Sequence, residues 1–183
     1  MTLTERWMDA WATQLQAAVD RALRDVVSDF PFEADHHQVG PPAPRAEVDL
    51  LRQRLPWMPV DLVALHQQVG PVTLPDICNG YFIHSSKELL ALLEVQDRAD
   101  RIGEPGADGI DVVVFGSNGG GDLYAEATAD GRVFRLRGAS CVGGVYAGTE
   151  DGVTVAGADL REFLERLLIT VNAFAANGTI LDL

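Results

Sequence analysis

The run from Gly116 to Asp122 is a candidate ligand-binding loop. It reads Gly-Ser-Asn-Gly-Gly-Gly-Asp, and a glycine-rich loop can hold a phosphate group when its backbone amides face the ligand. A phosphate-binding loop also needs a lysine and a hydroxyl residue after its last glycine, and then a helix. Here the anionic Asp122 follows the glycines, and the strand-like segment Leu123 to Ala125 comes next. The sequence therefore favours a structural turn over a nucleotide site, and we predict no cofactor.

The segments on both sides of these glycines predict a β-hairpin. Asp111 to Phe115 is a β-branched and aromatic run, and glycine and asparagine tolerate the positive φ angles of a tight reversal. A second turn signal, Ala129-Asp130-Gly131, precedes the strand candidate Arg132 to Arg137, so three successive antiparallel strands should form a meander. The residues assigned to the first structural turn are Gly116, Gly119, Gly120, Gly121 and Asp122.

Elsewhere the residues that could do chemistry do not form a recognisable catalytic or metal-binding set. The sequence has neither a Gly-x-Ser-x-Gly nor a His-Glu-x-x-His motif, and Cys78 and Cys141 are far apart. His36 and His37 are adjacent and lack a third ligand nearby, and His66 is interpreted as a surface or boundary residue of a helix. We predict that the protein is not an enzyme, with no catalytic residue and no metal.

Charge is the unusual property of the composition. The 183 residues include 14 Lys and Arg against 27 Asp and Glu, which gives a net charge of −13. This charge disfavours nucleic acid as a partner and favours a basic protein, although solubility alone would also explain it. The sequence shows no signal peptide and no segment of membrane-spanning length, so the predicted location is the cytoplasm, away from membranes.

The densest acidic segment follows a predicted helix that a serine at position 85 or 86 can cap. It is interrupted by Arg98 and Arg101 and ends in a loop that leads into the hairpin. We predict this segment as the site for a basic partner, and the alternative is a solvated helix end and loop with local ion pairs. The candidate partner-binding residues are Glu94, Asp97, Asp100, Glu104 and Asp108.

A long amphipathic helix should open the chain. From Leu3 to Phe30 the apolar residues recur at spacings of three and four, Thr4 can cap the helix, and Pro31 should end it. Trp7 and Trp11 lie on the apolar stripe. They are candidate anchors, either for docking on the rest of the chain or for pairing with a second copy or a target, so the protein could be a monomer or a homodimer.

The remaining pattern mixes short helices with strands. Residues 32–45, which include three prolines, are predicted to form a linker or a surface loop. Helices are predicted over Glu47 to Leu55, over Pro59 to Gln68, and from Asp159 to an Asn177-Gly178 stop. Further strands are predicted at Gly80 to His84, Cys141 to Ala147 and Val153 to Ala156.

Two sets of residues resemble the SUKH superfamily, the domain typified by the fungal cell-wall assembly regulator. The segment Phe115-Gly116-Ser117-Asn118-Gly119-Gly120-Gly121-Asp122-Leu123-Tyr124-Ala125 is similar to the central motif of that family. Upstream, Leu55-Pro56, Pro59-Val60-Asp61-Leu62 and Asn79-Gly80-Tyr81-Phe82-Ile83-His84 look like its helix and the strand that follows. The resemblance covers about residues 46 to 174 and implies a non-catalytic protein-binding module, since bacterial members act as immunity proteins that neutralise a cognate toxin.

Together, the pattern and the resemblance define the expected architecture and function. We predict an α+β fold, a curved and mainly antiparallel sheet of about five to six strands flanked by helices. An N-terminal helix and linker should span residues 1–45, and a SUKH-like domain residues 46–183. The predicted function is a cytoplasmic immunity-type protein that binds a basic toxin domain. The alternative is a regulatory or scaffold domain that binds several partners and dimerises through its N-terminal helix.

Overall fold

The computed structural model describes residues 3–95, 98–103, 109–138, 141–147 and 152–183. Over these residues the chain is α+β, with five α-helices and a ten-stranded mixed sheet. None of the helices in the described ranges combines the length and the apolar composition needed to cross a bilayer. The helices are α1 (Glu5–Asp25), α2 (Arg45–Arg54), α3 (Val60–Gln68), α4 (Ser86–Leu92) and α5 (Leu160–Asn177).

The strands of the sheet fall into a main part and a side branch. In the main part, antiparallel neighbours run in the order β1 (Gln38–Val39), β2 (Val72–Leu74), β3 (Tyr81–Ile83), β5 (Ile110–Asn118), β6 (Leu123–Ala127), β7 (Val133–Leu136) and β10 (Val153–Gly157). In the branch, β4 (Arg101–Ile102) pairs with the start of β5 and, in parallel, with β9 (Val145–Tyr146), which pairs with β8 (Cys141–Val142). The predicted meander is thus present as β5, β6 and β7.

The strand number differs from the expected five to six because the additional strands are very short. β1, β4, β8 and β9 have two residues each, too few to show the alternation from which a strand is predicted. β1 lies inside the segment predicted to be a linker. The single strand predicted over Cys141 to Ala147 is a hairpin, because Gly143 and Gly144 both have positive φ and reverse the chain.

The N-terminal helix α1 packs in cis. Thr4 is its N-cap, with its Oγ1 accepting from the Trp7 amide at 3.4 Å, and a short 3-10 helix, Val27–Asp29, follows it. The apolar stripe of α1 contacts α5 and shares the main hydrophobic core with residues of α2, α3 and the sheet. Trp11 is buried there, and its indole Nε1 donates to the Leu164 carbonyl at 2.8 Å.

The backbone amides of the glycine-rich turn donate hydrogen bonds within the protein. The Gly120 and Asp122 amides donate to Asn118 Oδ1, both at 2.9 Å, and the Gly119 amide donates to the Asn79 carbonyl at 2.7 Å. A loop whose donors are satisfied internally has no cradle to offer a phosphate. Gly121 has a φ of +85° and belongs to the turn, as predicted.

Gly116 corrects the predicted turn. It lies within β5 rather than in the reversal, and a Cβ there would come within 2.6 Å of the Phe82 carbonyl oxygen on the neighbouring strand β3. This glycine therefore permits close strand packing.

Asp122 joins the hairpin to β7 and to the C-terminal residues. Its Oδ2 accepts from Arg135 Nε at 2.7 Å and from Asn118 Nδ2 at 3.0 Å. Burial by itself would raise the pKa of Asp122, but the hydrogen bonds from Arg135 and Asn118 outweigh it, so the pKa lies below its ordinary value. Arg135 also pairs with Asp182 and donates to the Leu183 oxygen at 3.0 Å. The family-like motif is thus part of a structural network.

His66 differs from its predicted surface or boundary position. It is buried in α3, with 1% of its surface exposed, and burial lowers its pKa to about 4, with the nearby His84 adding to the effect. The helix pattern alone did not show that both faces of α3 are covered. His66 is therefore a neutral core residue at neutral pH.

Candidate functional site

The connection between α2 and α3 presents an exposed tryptophan. Leu55 and Met58 are buried, at 6% and 7% exposure, and the Met58 amide donates to the Leu55 carbonyl at 3.0 Å. Between them Trp57 is 55% exposed. Pro56 and Pro59 flank Trp57 and Met58. Each proline has a fixed φ angle and restricts the residue before it. The two buried residues hold the connection in place, so the indole projects from a fixed backbone.

Three depressions meet at Trp57 within the described part of the chain. The first shares Asp100 with the second, and the second shares Thr128 with the third. We call the three depressions with Trp57 the Trp57 surface. Val60 and Val95, which line the third and the first, are themselves 77% and 51% exposed. With Trp57 they give this surface three large apolar side chains that are more than half exposed, a feature found at interaction sites.

The first depression is mainly apolar and lies where the sheet divides. β3 pairs with one end of β5 and β4 with the other. Residues of α4 and of the stretch of β5 between these pairings line the depression together. The resulting cavity has a volume of about 350 Å³, enough to accept an apolar side chain of a partner. Its apolar lining residues are Leu55, Trp57, Leu89, Leu92, Leu93, Val95, Ala99, Val112, Val113, Val114 and Leu123.

Four further residues give the first depression polar groups, namely His84, Arg98, Asp100 and Cys141. The His84 Nε2 lies 3.4 Å from Ser117 Oγ, while its buried Nδ1 has no hydrogen-bond partner, and burial lowers the pKa of this histidine. Arg98 is held by the Leu93 carbonyl at 3.0 Å. These groups could orient a polar segment of a ligand at the rim.

The second and third depressions are lined by carboxyl groups. Asp111 faces Arg101 across 2.8 Å in the second, and Asp61, Glu126 and Asp130 line the third. Over all three depressions, five lining residues are acidic, namely Asp61, Asp100, Asp111, Glu126 and Asp130, and two are arginines, Arg98 and Arg101. The Trp57 surface therefore carries the acidic sign of the whole chain.

Of the predicted partner-binding residues, the structure describes Glu94 and Asp100. Asp97, Glu104 and Asp108 lie outside the described residues. Asp100 lines two of the depressions and is 3.8 Å from Arg98. Glu94 pairs with Arg54 of α2 and is not among the lining residues, although its neighbours Leu93 and Val95 are. Both carboxylates thus have an arginine partner, as the alternative of local ion pairs predicted.

The predicted anchors Trp7 and Trp11 are not part of the Trp57 surface. Trp11 is in the core, and Trp7 is half-buried with the Arg161 guanidinium 4.7 Å from its ring centroid. The docking alternative therefore describes the observed position of α1. The sequence signal for Trp57 was present, a tryptophan between two prolines in a predicted connection, but its exposure depends on the burial of Leu55 and Met58.

The described residues contain no group of three His, Cys, Asp or Glu side chains placed to hold a metal ion. Neither Cys78 nor Cys141 forms a disulfide within the described residues. The arrangement around Trp57 offers a cavity, an aromatic side chain and carboxyl groups, all of which can contact a partner.

Comparison of the chain with protein-family models and with curated proteins finds no match in either. The resemblance to the SUKH superfamily and the domain boundary at residue 46 therefore stay predictions.

Proposed function

We propose that this protein is a non-catalytic protein-binding module, and specifically a cytoplasmic immunity-type protein that binds and neutralises a cognate basic toxin domain. The observation that carries the proposal is the Trp57 surface. An exposed tryptophan next to an apolar cavity is the kind of feature that dominates binding energy in protein interfaces. The SUKH resemblance supports the toxin-neutralising role, and the charge supports a basic partner.

The fixed position of Trp57 favours tight binding. A side chain whose backbone is held by buried neighbours loses less conformational freedom on association than one on a mobile loop. The first depression next to it would accept an apolar side chain of the partner and exclude water from it. The partner would then present one apolar side chain to this depression, with basic residues around it.

The charges favour recognition and rate of association. With a net charge of −13, the protein attracts a basic domain over distances up to about a Debye length, roughly 8 Å at physiological salt. Complementary potentials increase the association rate and reject acidic competitors. A high association rate is useful to an inhibitor that must bind a toxin before the toxin acts.

Affinity capture with three baits tests the proposal. The wild-type chain and Phe32→Ala should retain the same basic protein, and Trp57→Ala should lose it. Phe32 is the matched control, since it is an exposed aromatic residue, at 56% exposure, outside the Trp57 surface.

The captured protein should then be purified and mixed with the wild-type chain. The proposal predicts a one-to-one complex in light scattering and loss of the partner's toxic activity. Several weakly bound partners with no inhibition would favour the scaffold function instead. No partner, or retention by all three baits equally, would contradict a role for the Trp57 surface.

A further inference from the structure

The third depression of the Trp57 surface contains a buried carboxyl that the fold does not pair. The depression lies between the α2–α3 connection and the turn that joins β6 to β7, and has a volume of about 390 Å³. Glu126 lines it from β6 with 2% of its surface exposed, and its Oε2 has no hydrogen-bond partner within the described residues. Buried polar atoms are nearly always hydrogen-bonded, so an unpaired carboxyl oxygen requires an explanation.

The position of Glu126 follows from strand alternation. Ala125 and Ala127 face the small core that contains Phe134 and Tyr146, while Tyr124 faces the main core under α5. Glu126 shares the face of Tyr124, because residues two apart in a strand point the same way. The carboxyl thus lies at the end of the main core, where a leucine or valine would serve packing better.

The charged neighbours of Glu126 are themselves acidic. Asp61 at the start of α3 and Asp159 at the N-cap of α5 both act on it electrostatically, and burial with these two carboxylates raises the pKa of Glu126 to about 8. Asp61 accepts from the Leu3 amide at 3.4 Å. No arginine, lysine or histidine of the described residues pairs with Asp61 or Glu126.

The other carboxylates around Trp57 differ in this respect. Asp100, Asp111 and Asp130 have Arg98, Arg101 and Arg132 as partners at 3.8, 2.8 and 2.7 Å. Asp61 and Glu126 in the third depression are therefore the carboxyl groups of the Trp57 surface that have no basic partner among the described residues. An incoming cation would favour ionisation of the Glu126 carboxyl, with its proton released to solvent, and would then pair with Glu126 and Asp61.

We infer that the third depression binds one cationic side chain, an arginine or a lysine of the protein partner, with Asp61 and Glu126 as acceptors and the Trp57 ring beside it. The inference rests on the proposed function, in which a basic protein docks on the Trp57 surface. A guanidinium or ammonium group would supply the donors that the buried carboxyl lacks. The indole of Trp57, which lines the same depression, adds attraction to a cation over its face.

A small probe tests the site without the partner. N-acetyl-arginine methylamide is titrated into the full chain and followed by amide and indole NMR signals, with the citrulline compound as an uncharged control of the same shape. The inference predicts that the arginine probe shifts the Trp57 indole and the amides of Asp61 and Glu126. Equal shifts with citrulline, or no shifts with arginine, would overturn it.

Two variants assign the effect to the carboxyls. Glu126→Gln keeps the shape of the protonated side chain, and with Asp61→Asn as a second variant each should bind the arginine probe about fivefold more weakly. Asp49→Asn on α2 removes the same charge elsewhere, from a half-exposed residue that pairs with Arg45, and should change the affinity less than twofold. If both site variants behave like Asp49→Asn, the inference is wrong.

The two proposals can fail separately. Partner binding that Trp57→Ala weakens and Glu126→Gln leaves unchanged would overturn the cation site and leave the protein-binding function in place. A selective arginine shift without any protein partner would contradict the proposed function and keep the site as a receptor for cationic groups.

Discussion

Trp11 and Trp57 are the same kind of side chain in opposite surroundings. Trp11 lies on the regular apolar stripe of α1, is 1% exposed and gives its indole hydrogen bond to α5. Trp57 lies in an irregular connection and is 55% exposed where three depressions meet. A strong helical pattern thus marks a residue that the fold uses for its own core. Candidate anchors for a partner are therefore aromatic residues that are not buried in the core.

The largest expected effect is on the stability contributed by Trp11. Replacing it with alanine should lower the free energy of unfolding by about 3 to 5 kcal/mol, because the change leaves a cavity and removes the indole hydrogen bond to the Leu164 carbonyl. Urea unfolding followed by circular dichroism measures this loss. Trp7→Ala is the control, and its half-buried ring over Arg161 predicts a smaller loss of about 1 kcal/mol. Equal small losses for both would place the α1 stripe outside the core.

Glu126 combines the two environments, because it is buried like Trp11 and also lines the Trp57 surface. Its folded-state pKa of about 8 exceeds the unfolded value, so between the two values the native state holds a proton that the unfolded chain has lost. Stability is therefore fully present below the unfolded pKa and falls as pH rises through about 8. The loss should be up to about 5 kcal/mol in the wild type.

Glu126→Gln cannot ionise, so it should lack this loss of stability. Asp61 and Asp159, which act on the carboxyl, remain in the variant, and the difference between the two proteins isolates Glu126. Urea unfolding of both proteins at acidic and at mildly alkaline pH provides the measurement. Parallel pH profiles would show that the Glu126 carboxyl is not held in its neutral form.

The dependence of the association rate constant on salt tests whether the charge of the protein contributes to partner binding. The rate constant for binding the basic partner should fall about tenfold or more between low and high ionic strength, while dissociation changes little. Stopped-flow fluorescence measures both rates. A variant that adds positive charge away from the Trp57 surface should reduce the slope only slightly. A rate that is independent of salt would remove charge from the explanation of partner choice.

The smallest effect concerns the stability contributed by Trp57. Because more than half of its side chain is in solvent, Trp57→Ala should change the free energy of unfolding by less than about 1 kcal/mol. The same urea experiment as for Trp11 applies. A loss as large as that of Trp11→Ala would mean that the indole supports the fold, and that any binding defect of the variant is indirect.

Much of the fold could be predicted from local signals. The caps at Thr4 and Asp159, the αL glycine Gly178 and the glycine-rich reversal after β5 each have a specific sequence signature. The two-residue strands could not be predicted, because each is defined only by its pairing with another short segment, β1 with β2, β4 with β5 and β9, and β8 with β9. The burial of His66 likewise depends on contacts on both faces of α3, and a helical period shows only one.

The candidate site was less predictable than the fold. The acidic segment directed attention to Glu94 and Asp100, and the structure shows that each is paired with an arginine. The carboxyls of the Trp57 surface that have no basic partner among the described residues belong to Asp61 and Glu126. They are 65 positions apart in the sequence and lie in elements brought together by tertiary packing. Charge counts along a chain cannot reveal which carboxylates the fold neutralises.

The most direct test of the central claim is the affinity of Trp57→Ala for the purified partner, measured by isothermal titration calorimetry beside the wild type and Phe32→Ala. If Trp57 is the anchor, Trp57→Ala should bind roughly 30-fold more weakly or worse, the loss expected for a hot-spot residue, with an unfolding curve close to that of the wild type. Phe32→Ala should bind within about twofold of the wild type. An unchanged affinity for Trp57→Ala would contradict the assignment of the Trp57 surface as the binding site.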